Sequence, residues 1–136
     1  MNKCLHCSKT LNKKINKYCS NQCQSDYVYQ TYITDWKAGN NDGSRGIVTM
    51  NISEHIKRYL VQKYENKCSL CSWNEHNIFS NKVPLEIDHI DGNFKNNTEI
   101  NLRLICPNCH SLTSNFRNLN KGSGREWRRL KYSKSL

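Results

Sequence analysis

The chain has 136 residues, of which 36% are apolar, and its 21 Lys and Arg against 11 Asp and Glu give a formal net charge of +10. This length allows one domain, or one small domain with an appended module. The longest apolar runs are only a few residues, which argues against a membrane span, and the start lacks the apolar core of a secretory signal. We therefore expect a cytoplasmic protein. Its excess of basic over acidic residues predicts that it binds a polyanion, most often nucleic acid.

The eight cysteines fall into four pairs at gaps of two or three residues. Such pairs are typical of zinc ligation, in which two pairs supply four thiolates, whereas disulfides would not persist in a reducing compartment. The alternatives are buried free thiols and redox chemistry. Taken in chain order, the pairs predict two structural Zn²⁺ sites, one on Cys4, Cys7, Cys19 and Cys23 and the other on Cys68, Cys71, Cys106 and Cys109.

The first third of the chain is interpreted as a small zinc module followed by an aromatic segment. Residues 1–24 hold little apolar content, and residues 26–36 are aromatic and β-branched, which fits either a short helix or an extended strip. The Gly, Asn and Asp loop at 38–46 is the best candidate boundary. The aromatic side chains are expected to form a local core rather than to stack on bases; they are Tyr27, Tyr29, Tyr32 and Trp36.

A helix is predicted to begin at Asn51 and to end near Asn66. Glu54 stands three residues after Asn51, which is the spacing of a capping box. Apolar residues recur every four positions along one stripe, as expected for a helix face; they are Ile52, Ile56, Leu60 and Tyr64.

Two short strands are predicted next. Apolar and polar residues alternate over 85–90, and the pattern stops at the turn signal Asp91–Gly92. After an Asn-rich loop, residues 102–105 form the second strand. Glu86 is expected to pair across the strands with Arg103.

A helix should follow the second strand, because Pro107 is well placed as a first helical residue. It is expected to carry Cys109, His110, Thr113 and Phe116. Ser114 and Asn115 lie one turn beyond His110 and are interpreted as capping or packing groups rather than metal ligands.

At these residues the chain resembles the HNH endonucleases. The segments IDHIDGN and NLRLICPNCH, with CSLC upstream, carry the resemblance over roughly residues 66–120. The three name-giving positions match His89, Asn101 and His110. The resemblance implies a small α+β fold with a ββα-metal core stapled by the second zinc site, preceded by a helix and the N-terminal four-cysteine module. The flanks are similar in general character to phage-encoded free-standing HNH nucleases, including homing endonucleases.

The resemblance also assigns roles. It implies that Asp88 and His110 bind the catalytic ion, that His89 activates water, and that Asn101 ties the loop together and orients the base. The chemistry agrees, because a carboxylate and an imidazole suit Mg²⁺ or another divalent ion. Free imidazole titrates near pH 6.5, so a histidine can accept a proton at cellular pH.

One geometric requirement accompanies this assignment. Neighbours in a regular strand point to opposite faces, so Asp88 and His89 would not share a site. A twist or a bulge beside the Asp91–Gly92 turn could bring both toward the metal, and the resemblance implies that it does.

The sequence thus predicts a metal-dependent endonuclease that cuts double-stranded DNA, with His89 as the general base. A phage homing endonuclease acting in the host cytoplasm is one biological role; restriction, packaging, repair or RNA cleavage are others. The alternative from a different class is a non-catalytic zinc-finger DNA-binding protein. Whether the protein is a monomer or a dimer stays open.

The predicted organisation is a zinc module with its aromatic segment at 1–36, a loop and helix linker at 37–66, the nuclease core at 67–120 and a basic tail at 121–136. The tail either contacts phosphates or is simply solvated charge, and its composition favours phosphate contact. The predicted DNA-binding residues are Lys121, Arg125, Arg128, Arg129 and Lys131.

Overall fold

The computed structural model of the chain describes residues 2–46, 51–116 and 119. The chain divides into two compact units, residues 1–41 and 42–136, and the division falls inside the loop at 38–46. The basic tail, with its predicted DNA contacts, lies outside the described residues. Within the described ranges, no helix has the length and apolar character needed to cross a membrane.

The first unit holds a short cysteine-containing segment and one helix, α1 (Asn21–Lys37). Ser20 begins the helix, because its hydroxyl oxygen accepts a hydrogen bond from the backbone N–H of Cys23 at 3.1 Å. The segment at 26–36 is therefore helical rather than an extended strip. Its buried side chains recur at helical spacing and form a local core, as predicted for two of the aromatic residues; they are Tyr29, Ile33 and Trp36.

The second unit begins with α2 (Glu54–Lys63). The prediction that Asn51 caps this helix is wrong, because the hydroxyl oxygen of Ser53 accepts from the backbone N–H of His55 at 3.2 Å and starts the helix two residues later. Ile56 and Leu60 are fully buried, and the helix packs on the second strand. The segment predicted as a linker therefore contributes to the core of this unit.

Two antiparallel strands follow, β1 (Glu86–His89) and β2 (Leu102–Ile105). Asp88 lies opposite Arg103, and His89 lies opposite Leu102. The alternating apolar and polar residues place the leucines of β2 in the core, where they are almost completely buried, as is Ile105. A single 3₁₀ turn, Glu99–Asn101, leads into β2.

The last described helix, α3 (Pro107–Ser111), begins at the predicted proline but is shorter than predicted. Thr113 and Phe116 lie beyond its end. The backbone N–H of Thr113 bonds to the carbonyl of His110, three residues back, and the Thr113 hydroxyl donates to the same carbonyl at 2.9 Å. These tighter bonds take the carbonyl that a longer α-helix would use, so the helix ends.

Candidate active site and metal centres

The cysteines gather into two clusters, each with its four sulfur atoms within 4.8 Å of one another. The Sγ–Sγ distances are 3.6 Å for Cys7–Cys19, 3.4 Å for Cys19–Cys23 and 3.7 Å for Cys71–Cys106. Sulfurs bound to one tetrahedral Zn²⁺ at about 2.3 Å lie about 3.8 Å apart, whereas a disulfide requires about 2.05 Å. Both groupings are those predicted, and both fit zinc; the first cysteine cluster is Cys4, Cys7, Cys19 and Cys23, and the second is Cys68, Cys71, Cys106 and Cys109.

Backbone hydrogen bonds hold the second cysteine cluster against the sheet. The backbone N–H of Ser69 donates to the carbonyl of Leu104 in β2 at 2.8 Å. On the other side, the sulfur of Cys106 accepts from the backbone N–H of Cys109 at 3.4 Å and caps the start of α3. The second cluster therefore fixes the position of α3, and with it the residue that follows Cys109.

The pKa values of the thiols reflect the crowding of sulfur atoms. Burial raises the pKa of Cys68, but backbone N–H groups, first that of Cys106, outweigh burial and lower it to about 6. The neighbouring sulfur of Cys106, followed by that of Cys71, raises the pKa of Cys109 to about 12. Four thiolates this close repel one another, and a divalent cation would remove that repulsion, so the donor set suits Zn²⁺.

His110, on α3, is oriented by a carboxylate of β1. Its Nδ1 lies 2.5 Å from Oε2 of Glu86. A carboxylate only accepts, so Nδ1 carries a proton and Nε2 is left as the ring atom that can bind an ion. The edge of the ring also packs on Phe116, with centroids 5.3 Å apart. The prediction that Glu86 pairs with Arg103 is therefore wrong.

Arg103 instead pairs with Asp88. Its Nε donates to Oδ2 of Asp88 at 2.7 Å, and Asp88 is only 6% exposed. The register explains the choice, because Asp88 lies directly opposite Arg103 whereas Glu86 lies opposite Ile105. Directly opposed residues are the closest pairs in an antiparallel sheet. The guanidinium therefore gives this almost completely buried carboxyl group a hydrogen-bond partner.

His89 contacts a residue that the sequence analysis missed. Its Nε2 lies 2.7 Å from Oδ1 of Asn97, a side chain that is 7% exposed. The amide of Asn97 is oriented by the carbonyl of Asp42, which accepts from Nδ2 at 3.0 Å. Because the NH₂ group faces that carbonyl, Oδ1 faces His89, and Nε2 must be the protonated nitrogen. The nitrogen able to accept a proton is then Nδ1.

Asn101 closes the loop between the strands, as the resemblance implies. Its Oδ1 accepts from the backbone N–H of Asp91 at 3.0 Å, and its Nδ2 donates to the Asp91 carboxylate and to the Asn96 carbonyl. The Asn96 amide, more than any other group, lowers the pKa of Asp91, so this carboxylate is ionised at neutral pH. Among the described contacts of His89, the side chain that orients the ring is that of Asn97 rather than that of Asn101.

The structure does not show Asp88, His89 and His110 converging on one metal site, so their shared site stays a proposal. The pairing of β1 with β2 is one to one through His89, so no bulge interrupts it. In the described part of the chain, the groups of three or more side chains that could hold a metal are the two cysteine clusters. Asp88, His89 and His110 do not form such a group. Beyond α3, the side-chain amide of Asn115 donates to the carbonyl of Ile90 at 3.0 Å, which is a packing role.

The second unit thus combines a two-stranded antiparallel sheet with a short helix whose His110 is oriented by the carboxylate of Glu86. Residues 68–116, which are less than half of the chain, match the family model described as HNH endonuclease. The chain is also 46% identical over 55 residues to the H-N-H endonuclease F-TflIV of Escherichia phage T5. The aligned stretch covers 40% of this chain and 22% of that relative. No solved structure matches the chain.

Proposed function

We propose that the second unit hydrolyses phosphodiester bonds of double-stranded DNA with the help of a divalent ion. The observation that carries the proposal is the pair of side-chain contacts that orient the two histidines, His89 with Asn97 and His110 with Glu86. Asn97 holds a proton on Nε2 of His89, and Glu86 holds a proton on Nδ1 of His110. One histidine is thereby prepared to accept a proton and the other to bind a cation.

His89 is the general base in this proposal. Its Nδ1 takes a proton from the attacking water, and the positive charge that develops on the ring is stabilised by Oδ1 of Asn97. The carbonyl of Asp42 keeps Asn97 in this orientation. Asn101 holds the backbone that follows His89, because its own carbonyl accepts from the N–H of Ile90 at 2.9 Å. The base is therefore fixed from two sides.

Asp88 and His110 are the proposed ligands of the catalytic ion, and a carboxylate with an imidazole fits Mg²⁺, Mn²⁺ or a similar cation. When bound, such an ion would supply positive charge for the pentacoordinate phosphate and the departing oxygen. Arg103 holds Oδ2 of Asp88, which leaves Oδ1 as the ligand atom. Glu86 fixes the orientation and tautomer of the His110 ring through Nδ1.

Cleavage of supercoiled plasmid by the purified protein tests this proposal. EDTA should stop cleavage, and Mg²⁺ or Mn²⁺ added after removal of EDTA should restore it, because two protein ligands bind an ion far more weakly than four thiolates bind zinc. Zinc content measured on the same samples should stay at two per chain. Cleavage that continues in EDTA would contradict the proposed ion.

The same assay separates the nuclease from the alternative of a non-catalytic zinc-finger DNA-binding protein. That alternative has one observation in its favour, since Asp88 is already paired with Arg103 and needs no cation for compensation. It predicts retained DNA binding without cleavage in any divalent ion. The role of a homing endonuclease stays a prediction, and plasmid carrying the protein's own gene region, with and without an insertion, would test it.

Loss of the Glu86 carboxylate should weaken the ion site selectively. In Glu86→Ala, the Mg²⁺ concentration that gives half-maximal cleavage should rise about 10- to 100-fold, because His110 loses the partner that fixes its tautomer. Titration of plasmid cleavage with Mg²⁺ measures this. Glu75→Ala, at an exposed position outside the site, is the matched control. Equal Mg²⁺ requirements for the two variants would rule out an orienting role for Glu86.

A further inference from the structure

The N-terminal unit has a strongly one-sided charge that the nuclease site does not use. Residues 1–41 contain six lysines and two aspartates, and there is no acidic residue before Asp26. Within the first cysteine cluster, the segment between Cys7 and Cys19 carries four of these lysines. A four-thiolate zinc site is coordinatively closed and does no chemistry, so this unit is expected to bind a partner rather than to react.

Three of the lysines surround one exposed apolar side chain in a tight turn, the basic turn, which comprises residues 13–17. The backbone N–H of Asn16 donates to the carbonyl of Lys13 at 3.2 Å and closes the turn. Ile15, at its tip, is 86% exposed. Lys13, Lys14 and Lys17 are all exposed, and none has an ion-pair partner among the residues that the structure describes.

The basic turn is held in place by the first cysteine cluster. The side-chain amide of Asn2 donates to the carbonyl of Lys14. The backbone N–H of Leu5, next to the ligand Cys4, donates to the carbonyl of Lys17 at 2.9 Å. Backbone N–H groups, first that of Cys7, lower the pKa of Cys4 to about 6, as suits a metal ligand. Three like charges are therefore presented from a braced turn rather than from a free end.

We propose that the basic turn contacts the backbone of duplex DNA, with its three lysines on phosphates and Ile15 against the sugar edges between them. Three neighbouring ammonium groups repel one another, and the negative charge of a row of phosphates relieves this repulsion. Binding also releases counterions from the DNA, which favours association. Such contacts position a protein on DNA without reading its sequence. The proposal rests on the proposed function, since it takes the substrate of the nuclease unit as the partner of the N-terminal unit.

The test measures DNA affinity of the full chain across a salt series, in a His89→Ala background so that the DNA stays intact. The triple substitution Lys13→Gln, Lys14→Gln and Lys17→Gln should weaken binding about 10- to 100-fold near 0.1 M salt. The slope of log affinity against log salt should fall by about 2 to 3, because each lost phosphate contact removes about 0.9. Ile15→Ser should weaken binding less and leave the slope unchanged.

The matched control keeps the charge, with Lys13→Arg, Lys14→Arg and Lys17→Arg, and it should retain both affinity and slope. Zinc content of two per chain shows that each variant is folded around its clusters. If the triple glutamine variant shows the same salt dependence of DNA affinity as the His89→Ala parent, the proposal is wrong. The basic turn would then be a candidate contact for an acidic protein. This outcome is distinct from failure of the nuclease proposal, which appears as absence of cleavage by the wild-type chain.

Discussion

Replacing His89 with alanine is expected to lower the rate of DNA cleavage by at least about 10²-fold, which is the usual effect of losing a general base. DNA affinity should change little, because the half-buried ring is held by Asn97 and, among the described residues, is not part of an exposed cluster of basic side chains. Single-turnover cleavage of supercoiled plasmid at saturating Mg²⁺ measures the rate, and a gel-shift or anisotropy titration of an uncut oligonucleotide duplex measures the affinity.

Two further variants show whether the effect belongs to the base. His76→Ala removes an exposed histidine and should cleave at the wild-type rate. Asn97→Ala keeps the imidazole but removes its orienting partner, so it should reduce the rate about 10-fold, with the Mg²⁺ requirement unchanged. Undiminished cleavage by His89→Ala would show that another group activates the water.

Replacing Cys68 with serine is expected to unfold the second unit. Cys68 is 2% exposed, and the turn that begins with it is joined to β2 through the backbone N–H of Ser69. The second cluster also holds the start of α3, while the apolar core consists mainly of a few side chains from α2 and β2. Because these core side chains are few, we expect the unit to depend on a metal at this cluster for folding. Thermal unfolding followed by circular dichroism should show loss of the cooperative transition of this unit.

Cys7→Ser gives the matched comparison, because it removes one thiol from the first cysteine cluster, in the other compact unit. Each variant should contain one zinc per chain instead of two, yet only Cys68→Ser should lose the transition of the second unit. A Cys68→Ser protein that unfolds like the wild type and keeps two zinc ions would refute the structural role of this cluster.

Features set by short-range pattern could be predicted from the sequence. The start of α3 at Pro107 and the bounds of β2 are as predicted, because each depends on spacing within a few residues. The cysteine groupings are also as predicted, since each combines two local pairs taken in chain order. The resemblance to HNH endonucleases is confirmed over residues 68–116. Asn101 could also be identified with its loop-closing role, since its position in NLRLIC is part of the resemblance.

Features that depend on register or on distant backbone could not be predicted. The alternation of β1 places Glu86 and Asp88 on one face, but only the alignment of β1 with β2 decides which of them meets Arg103. Asn97 is one of several asparagines in a polar loop, and its role depends on a carbonyl 55 residues earlier in the chain. The predicted start of α2 is wrong because Ser53 and Asn51 are both good capping residues, and the sequence does not decide between them. In the structure, residues 51 and 52 form backbone hydrogen bonds with the segment at 44–45 and are not part of the helix.

That distant carbonyl changes where the proposed nuclease unit begins. The segment shared with the HNH family starts at residue 68 and includes His89, Asn97 and His110. It does not include Asp42, which is fixed by hydrogen bonds from Ser44 to its own carboxylate and by a bond from Ser53 to the carbonyl of Gly43. A fragment that begins at residue 68 would keep the proposed base and metal ligands. It would lack the Asp42 carbonyl that orients Asn97, so the tautomer of His89 would no longer be fixed. Domain exchange among such enzymes should therefore preserve activity only when the joint lies before residue 42.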